Sequence, residues 1–208
     1  MTANLGPDRQ SIVALDLEGV LVPEMWVAVA ETTGIEALRR TTREEPDYDV
    51  LMRYRLDRLA EHGLTMSAMT EVISTLQPLP GAADFLSALR ERTQVVILSD
   101  TFEEFARPLM AQLGWPTILC HRLEVVDDRI VDYRLRMPDP KRSAVLALRS
   151  LNYTVMAAGD SYNDTTMLAE ADAGFLFRAP ENVKAEFPQF PAIEDYDVLL
   201  REVTDRLA

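Results

Sequence analysis

Short apolar runs alternate along this chain with longer stretches in which Ala, Leu and Met recur at helical spacing. The runs at 11–15, 94–98, 117–120, 154–158 and 173–177 predict β-strands. Residues 81–92, 102–113, 140–151 and 165–171 predict the helices between them, and 196–207 a closing helix. Such alternation is the signature of a parallel sheet covered by helices. Two polar stretches within 123–135 flank Asp127-Asp128 and predict a β-hairpin with that pair in its turn. Residues 23–78 depart from this plan. They hold no good strand but three helical patterns, at 26–37, 48–62 and 67–76, punctuated by Gly34, Pro46 and Gly63. The expected organisation is a polar tail over 1–10, a core of 11–22 and 79–208, and a helical insertion, 23–78, that lids the sheet. Pro78 to Gly81 is the expected return hinge.

Apolar residues make up 48% of the 208, enough for a real core. No apolar run approaches the ~20 residues of a membrane span, and the first ten residues lack the basic start and apolar centre of a secretory signal. The single cysteine, Cys120, excludes an internal disulfide and a thiolate metal site, and fits a cytoplasmic setting. With only His62 and His121 besides, a bound metal has to be held by oxygen, which points to a hard cation such as Mg²⁺. The 34 acidic residues outnumber the 21 basic ones, giving a net charge of −13 that repels nucleic acid. Glycine patterns of the Walker or dinucleotide type are missing. Catalysis must therefore rest on carboxylates.

Those carboxylates fall in telling places. Three apolar strands run directly into polar chemistry: Asp16-Leu17-Glu18-Gly19, Ser99-Asp100-Thr101 and Gly159-Asp160-Ser161-Tyr162-Asn163-Asp164. In open α/β sheets, ligands bind outside the carboxyl ends of the strands. Turn and capping chemistry accounts for any one of the three segments alone. It does not account for both Asp16 and Asp160 following wholly apolar strands, since crowded like charges are costly without a cation between them. Lys141 follows Asp139-Pro140, which has the form of an N-cap and first helical residue. A lysine there opposes the helix dipole; it reads either as an anion ligand or as a solvated neighbour of Arg142. His62, His121 and Cys120 show no ligand spacing and read as structural groups.

Taken in order, Asp16-Leu17-Glu18-Gly19-Val20, Ser99, Lys141 and Gly159-Asp160-x-x-x-Asp164 resemble the motifs of the haloacid dehalogenase-like superfamily. Within it, LDLEGVLVPE, PDYDVLM, ILSDTF, DPKR and AAGDSYNDTTML resemble the phosphoserine phosphatase branch, in particular bacterial members that pass the phosphoryl group to homoserine. The resemblance implies a Rossmann-like α/β core with a small helical cap inserted after the first strand. It implies a Mg²⁺-dependent enzyme of amino-acid biosynthesis acting on phosphoserine, with water or homoserine as acceptor. Asp16 is then the nucleophile and Glu18 the acid and later the base. Asp16, the Glu18 carbonyl and Asp160 are the implied metal ligands, with Asp164 orienting waters or Lys141. Ser99, the Asp100 N–H, Lys141 and Asn163 are the implied phosphoryl contacts. The superfamily usually has Asp where this chain has Glu18. The extra methylene moves the carboxyl by about 1 Å, a shift able to cost ~10²-fold, and fits an acceptor bulkier than water.

The cap must then read the amino-acid end. Arg53 has Asp49 and Asp57 at helical spacing and Arg58 has Glu61, both ordinary surface pairings. Arg55 has Leu51, Met52 and Leu59 instead and is the candidate carboxylate clamp, unless it merely covers core. Glu24 is the candidate for the substrate ammonium, and Tyr48 and Met52 for pocket lining or cap core. Two other readings stay open: a phosphatase for a different small phosphomonoester, and a receiver-like module switched by an aspartyl-phosphate.

Overall fold

In the computed structural model, which describes residues 9–41, 44–45 and 47–207, the apolar runs assemble into one seven-stranded sheet. Its strands are β1 (Ser11–Leu15), β2 (Gln94–Phe102), β3 (Thr117–Val126), β4 (Arg129–Arg134), β5 (Thr154–Gly159), β6 (Ala173–Phe177) and β7 (Ala192–Ile193). They lie in the order β4-β3-β2-β1-β5-β6-β7, parallel except for the antiparallel β3–β4 pair. The chain thus starts at the centre and winds outward on both sides, putting a topological switch point at β1.

Helices cover both faces, which is why the central strands are apolar throughout rather than alternating. Val13, Leu15, Ile97, Met156 and Ala158 enter one apolar cluster, and Ile12, Ala14, Val96, Leu98, Val155 and Ala157 the other. The first cluster is closed by α4 (Ala82–Arg90), α5 (Glu103–Gln112) and α9 (Tyr196–Thr204) and by helices inserted between β1 and β2: α1 (Met25–Thr33), α2 (Tyr48–Glu61) and α3 (Met66–Thr75). The second is closed by α6 (Pro140–Ser150), α7 (Thr165–Glu170) and α8 (Glu181–Glu186). Leu15, with no exposed surface, illustrates the energetics: truncating such a side chain costs ~2–5 kcal/mol.

Several boundaries differ from those read in the sequence. The first inserted helix stops at Thr33, because Gly34 takes a left-handed conformation (φ +71°) and ends it. A 3₁₀ turn, Glu36–Arg39, follows. The run at 117–120 and the first arm of the hairpin belong to one strand, β3, parallel to β2 at its start and antiparallel to β4, the second arm, at its end. Asp127 and Asp128 both have positive φ (47° and 62°), the geometry of a two-residue hairpin turn. The closing helix ends at Thr204, and α8 and β7 are too short to leave a periodic signal. Residues 1–8 of the expected polar tail and the punctuating Pro46 lie outside the described residues. Among the described residues, no helix is long and apolar enough to cross a membrane.

Candidate active site

Strand pairing brings the distant acids together. Leu15 of β1 is in register with Ala158 of β5, and the Asp16 N–H donates to the Ala158 carbonyl at 3.0 Å. Asp16 and Asp160 therefore emerge side by side at the switch point. Two glycines make the approach possible. At Gly19 (φ +75°) a Cβ would lie 2.3 Å from Asp160 Oδ2, and at Gly159 it would lie 2.3 Å from Asp164 Cγ. On the other side of β1, β2 pairs Leu98 with Leu119 but Phe102 with His121. The extra residues bulge, turning Ser99-Asp100-Thr101 towards the same place.

Lys141 stands at the centre, 2% exposed. Its Nζ lies 2.7 Å from Asp164 Oδ1, 2.9 Å from Asp16 Oδ1 and 3.6 Å from Asp100 Oδ2. The solvated-lysine alternative is thereby excluded. Asp139 does occupy the N-cap position of α6, but with φ +43° and no capping bond; its Oδ1 accepts from Thr166 instead. Asp164 is fully buried, and its Oδ2 accepts from the N–H groups of Asp160 (3.0 Å) and Ser161 (3.1 Å). Asn163 Nδ2 donates to Asp100 Oδ2 at 2.8 Å.

The electrostatics follow from burial. Desolvation, with Asp164 and Asp160 nearby, pushes the Asp16 carboxyl well above the ordinary range, although Lys141 pulls it down. Desolvation lowers Lys141, but Asp16, Asp164 and Asp100 outweigh it and hold its pKa well above normal. Burial likewise raises Asp100, yet Lys141, His121 and Asn163 prevail and keep it well below normal. Glu18 is pushed up to about 8 by burial and by the charge of Glu24, while its Oε1 accepts from the Met25 N–H at 2.7 Å.

Asp16, Asp160 and Asp164 each offer a carboxylate oxygen within 4.8 Å of the others. Three buried carboxylates against one lysine leave excess negative charge, and a hard divalent cation is what such an all-oxygen set fits. A cation there also reverses the upward pull on Asp16.

Asp16, Glu18, Glu24, Arg55, Ser99, Asp100, Lys141, Asp160 and Asn163 all line one cavity of ≈ 80 Å³, with Asp164 beneath it. Trp26, Thr41, Tyr48, Thr101 and Ser161 complete the wall. Arg55 is 6% exposed and forms no ion pair among the described residues. Its guanidinium sits 4.5 Å above the Trp26 ring, Nη2 donates to the Arg40 carbonyl at 2.9 Å, and Nε is buried without a hydrogen-bond partner. Burial lowers its pKa to about 10. Arg58 pairs with Glu61 and Arg53 with Asp49 (3.6 Å) as expected, but the second partner of Arg53 is Asp132 of β4, at 2.7 Å, rather than Asp57. Sequence reasoning gave Tyr48 no bond; its hydroxyl donates to the Asp100 carbonyl at 2.8 Å. It also passed over His121, which is 2% exposed with Nε2 3.6 Å from Asp100 Oδ1.

Residues 11–172 match the model of the haloacid dehalogenase-like hydrolase family. The chain is 66% identical over 192 residues to "Phosphoserine phosphatase ThrH" of Pseudomonas aeruginosa, covering 92% of this chain and 94% of that protein. It is 65% identical to a phosphoserine phosphatase of Pseudomonas syringae pv. tomato, covering 95% of this chain and 84% of the relative. Among solved structures, a substrate-bound phosphoserine phosphatase complex shares the fold, with a TM-score of 0.77 at 20% identity, covering 97% of this chain and all of the other.

Proposed function

The chain belongs to the haloacid dehalogenase-like hydrolase family, and on that premise we propose that it is a Mg²⁺-dependent phosphoserine phosphatase that also passes the phosphoryl group to homoserine. One observation carries the chemistry: an aspartate and a glutamate two residues apart face one cavity, Asp16 against Lys141 and Glu18 raised to about 8 by burial and the charge of Glu24. Two carboxyl groups with such different environments suit two different roles.

Asp16 Oδ1 is held by the Leu17 N–H (2.7 Å) and by Lys141, so Oδ2 is the oxygen we assign to attack. As the Asp16–phosphorus bond forms, the bond from phosphorus to the seryl oxygen breaks, and that oxygen takes its proton from Glu18. Glu18, now anionic, takes a proton from water or from the homoserine hydroxyl. That oxygen bonds to phosphorus and Asp16 is released. Ser99, the Asp100 N–H, Asn163 and Lys141 serve the phosphoryl oxygens, where negative charge grows. Asp16, Asp160 and the Glu18 carbonyl are the proposed Mg²⁺ ligands. Asp164, whose two oxygens already accept from Lys141 and two N–H groups, is left to orient the site. When bound, Mg²⁺ supplies charge neutralisation on Asp16 and the phosphoryl oxygens.

The inserted helices act as the cap in this reading. Arg55, with a free Nε beside the cavity, takes the substrate carboxylate, and Glu24 takes the ammonium. A zwitterion needs both, which favours a side-chain-phosphorylated amino acid over a phosphosugar. The cavity is far smaller than the ~300–1,000 Å³ of typical ligand sites, so substrate entry requires the cap to move outward.

The test is to incubate the protein with Mg²⁺ and phosphoserine, with and without homoserine. Inorganic phosphate and phosphohomoserine are the expected products, and chelating the metal abolishes both. If phosphoserine survives while a generic phosphomonoester is cleaved, the substrate reading falls and the chemistry stands. Glu18→Asp is expected to move the ratio of transfer to hydrolysis towards hydrolysis; an unchanged ratio removes the role given to the extra methylene.

A further inference from the structure

His121 lies on β3, inside the sheet, with Tyr48 and Phe102 packed around it at ring distances of 6.1 and 6.3 Å. Its Nδ1 accepts from the Arg136 N–H at 3.1 Å, which fixes the neutral ring's proton on Nε2. That Nε2–H faces Asp100 Oδ1 at 3.6 Å. The other oxygen of Asp100 accepts from Asn163 and stands 3.6 Å from Lys141. Asp100 is thus an anion touching two of the groups that the reading above gives to the phosphoryl oxygens. A carboxylate and a phosphate sharing Lys141 and Asn163 compete for them.

We infer that Asp100 is a built-in counter-anion of the phosphoryl subsite, and that His121 is its positioning residue, tethering Oδ1 so that Oδ2 stops short of a close ion pair with Lys141. In the empty site Asp100 keeps Asn163 and Lys141 aimed. In the product state it weakens their hold on phosphate and so favours release. The inference rests on the phosphatase reading and adds a control on how firmly that subsite grips its ligand.

The experiment measures inorganic phosphate in the presence of Mg²⁺, both as competitive inhibitor and by calorimetric titration, so that weakly active variants are still read. Asp100→Asn, which removes the competing charge, is expected to tighten phosphate about tenfold. His121→Phe lets Asp100 close on Lys141, and phosphate binding weakens about threefold to tenfold. His121→Gln, which retains an amide N–H near the Nε2 position, restores binding. The decisive measurement is the double variant, because coupled residues are non-additive. With Asp100→Asn in place, His121→Phe has nothing left to release and leaves phosphate affinity at the Asp100→Asn value. A His121 that is merely structural keeps its full effect in that background, and that result overturns the tether. Unchanged or weaker phosphate binding by Asp100→Asn overturns the counter-anion. If His121→Phe does not fold, His121→Asn, too short to reach Asp100, carries the same expectation. A wild-type protein that cleaves no phosphate ester at all defeats the underlying reading instead, and is told apart by that.

Discussion

The same strands end in two very different places. At their carboxyl ends a cavity of ≈ 80 Å³ gathers Asp16, Asp100, Asp160 and Lys141, all but Asp100 under a tenth exposed. At their amino ends lies a groove of ≈ 570 Å³, lined by Gln10, Ser11, Arg90, Glu91, Arg92, Thr93 and Trp115 among others. The groove is several times larger, yet its charged residues are exposed and point to no common centre: Arg90 donates to the Gly114 carbonyl, and Arg92 pairs with Glu91 at 3.8 Å. Buried charges that converge are costly, and a fold keeps them where they do chemistry. Volume alone points to the amino end of this sheet; desolvated charge points to the carboxyl end, where the proposed chemistry lies.

Four measurements can break or sharpen that contrast. The largest effect belongs to Asp16→Asn, expected to lower kcat by about 10⁴-fold or more, as loss of a nucleophile does; retention of even a hundredth of the activity would remove Asp16 from the role. Next is Gly19→Ala. Its new Cβ meets the Asp160 carboxylate, and displacing a ligand by about 1 Å is expected to cost ~10²-fold in kcat/KM and weaken Mg²⁺ binding.

A smaller, pH-dependent effect is expected for Glu18→Gln. The folded-state pKa of Glu18 is raised from the ordinary 4.5 to about 8. Between those values the unfolded chain has released its proton while the folded one retains it, so rising pH erodes wild-type stability across that window. Glutamine escapes the erosion and can keep the bond from Met25. Urea midpoints measured without metal are expected to favour Glu18→Gln more at about pH 8 than at about pH 5. Parallel profiles would show that burial does not raise this carboxyl. The smallest effect, within about twofold on kcat/KM, is expected for Arg92→Ala and Trp115→Ala in the amino-end groove. A large loss there would erase the distinction between the two ends.

Much of this was legible before any coordinates, for identifiable reasons. The strands leading to Asp16 and Asp160 are buried on both faces, so their apolar runs stop sharply where the chemistry begins. Lys141 was readable because it breaks a local electrostatic rule in the first turn of its helix. What escaped depends on register. Tyr48 and the Asp100 carbonyl are 52 residues apart, and His121 meets Asp100 only because β3 lies beside a bulged β2. In the sequence the bulge looks like the end of the strand, expected at 98, because Ser99-Asp100-Thr101 is chemically a turn; β2 continues to Phe102. Local spacing finds the pair of Arg53 with Asp49 but not its shorter one with Asp132, which stands in place of Asp57 and joins a helix to a strand.

The apolar cluster on one side of the sheet has a thermodynamic consequence. Val29, Met52, Met69 and Ile73 of the insertion share it with Leu15, Phe85, Phe105 and Leu199 of the remainder, as one continuous apolar cluster beside the polar cavity. The insertion holds no separate interior that could survive the melting of the remainder, whose second cluster lies on the far face of the sheet. Calorimetry should record a single transition, and a cavity opened at Ile73 should lower the melting temperature of the catalytic strands as much as that of its own helix. Whatever freedom the insertion has during turnover is then freedom to tilt as a packed body.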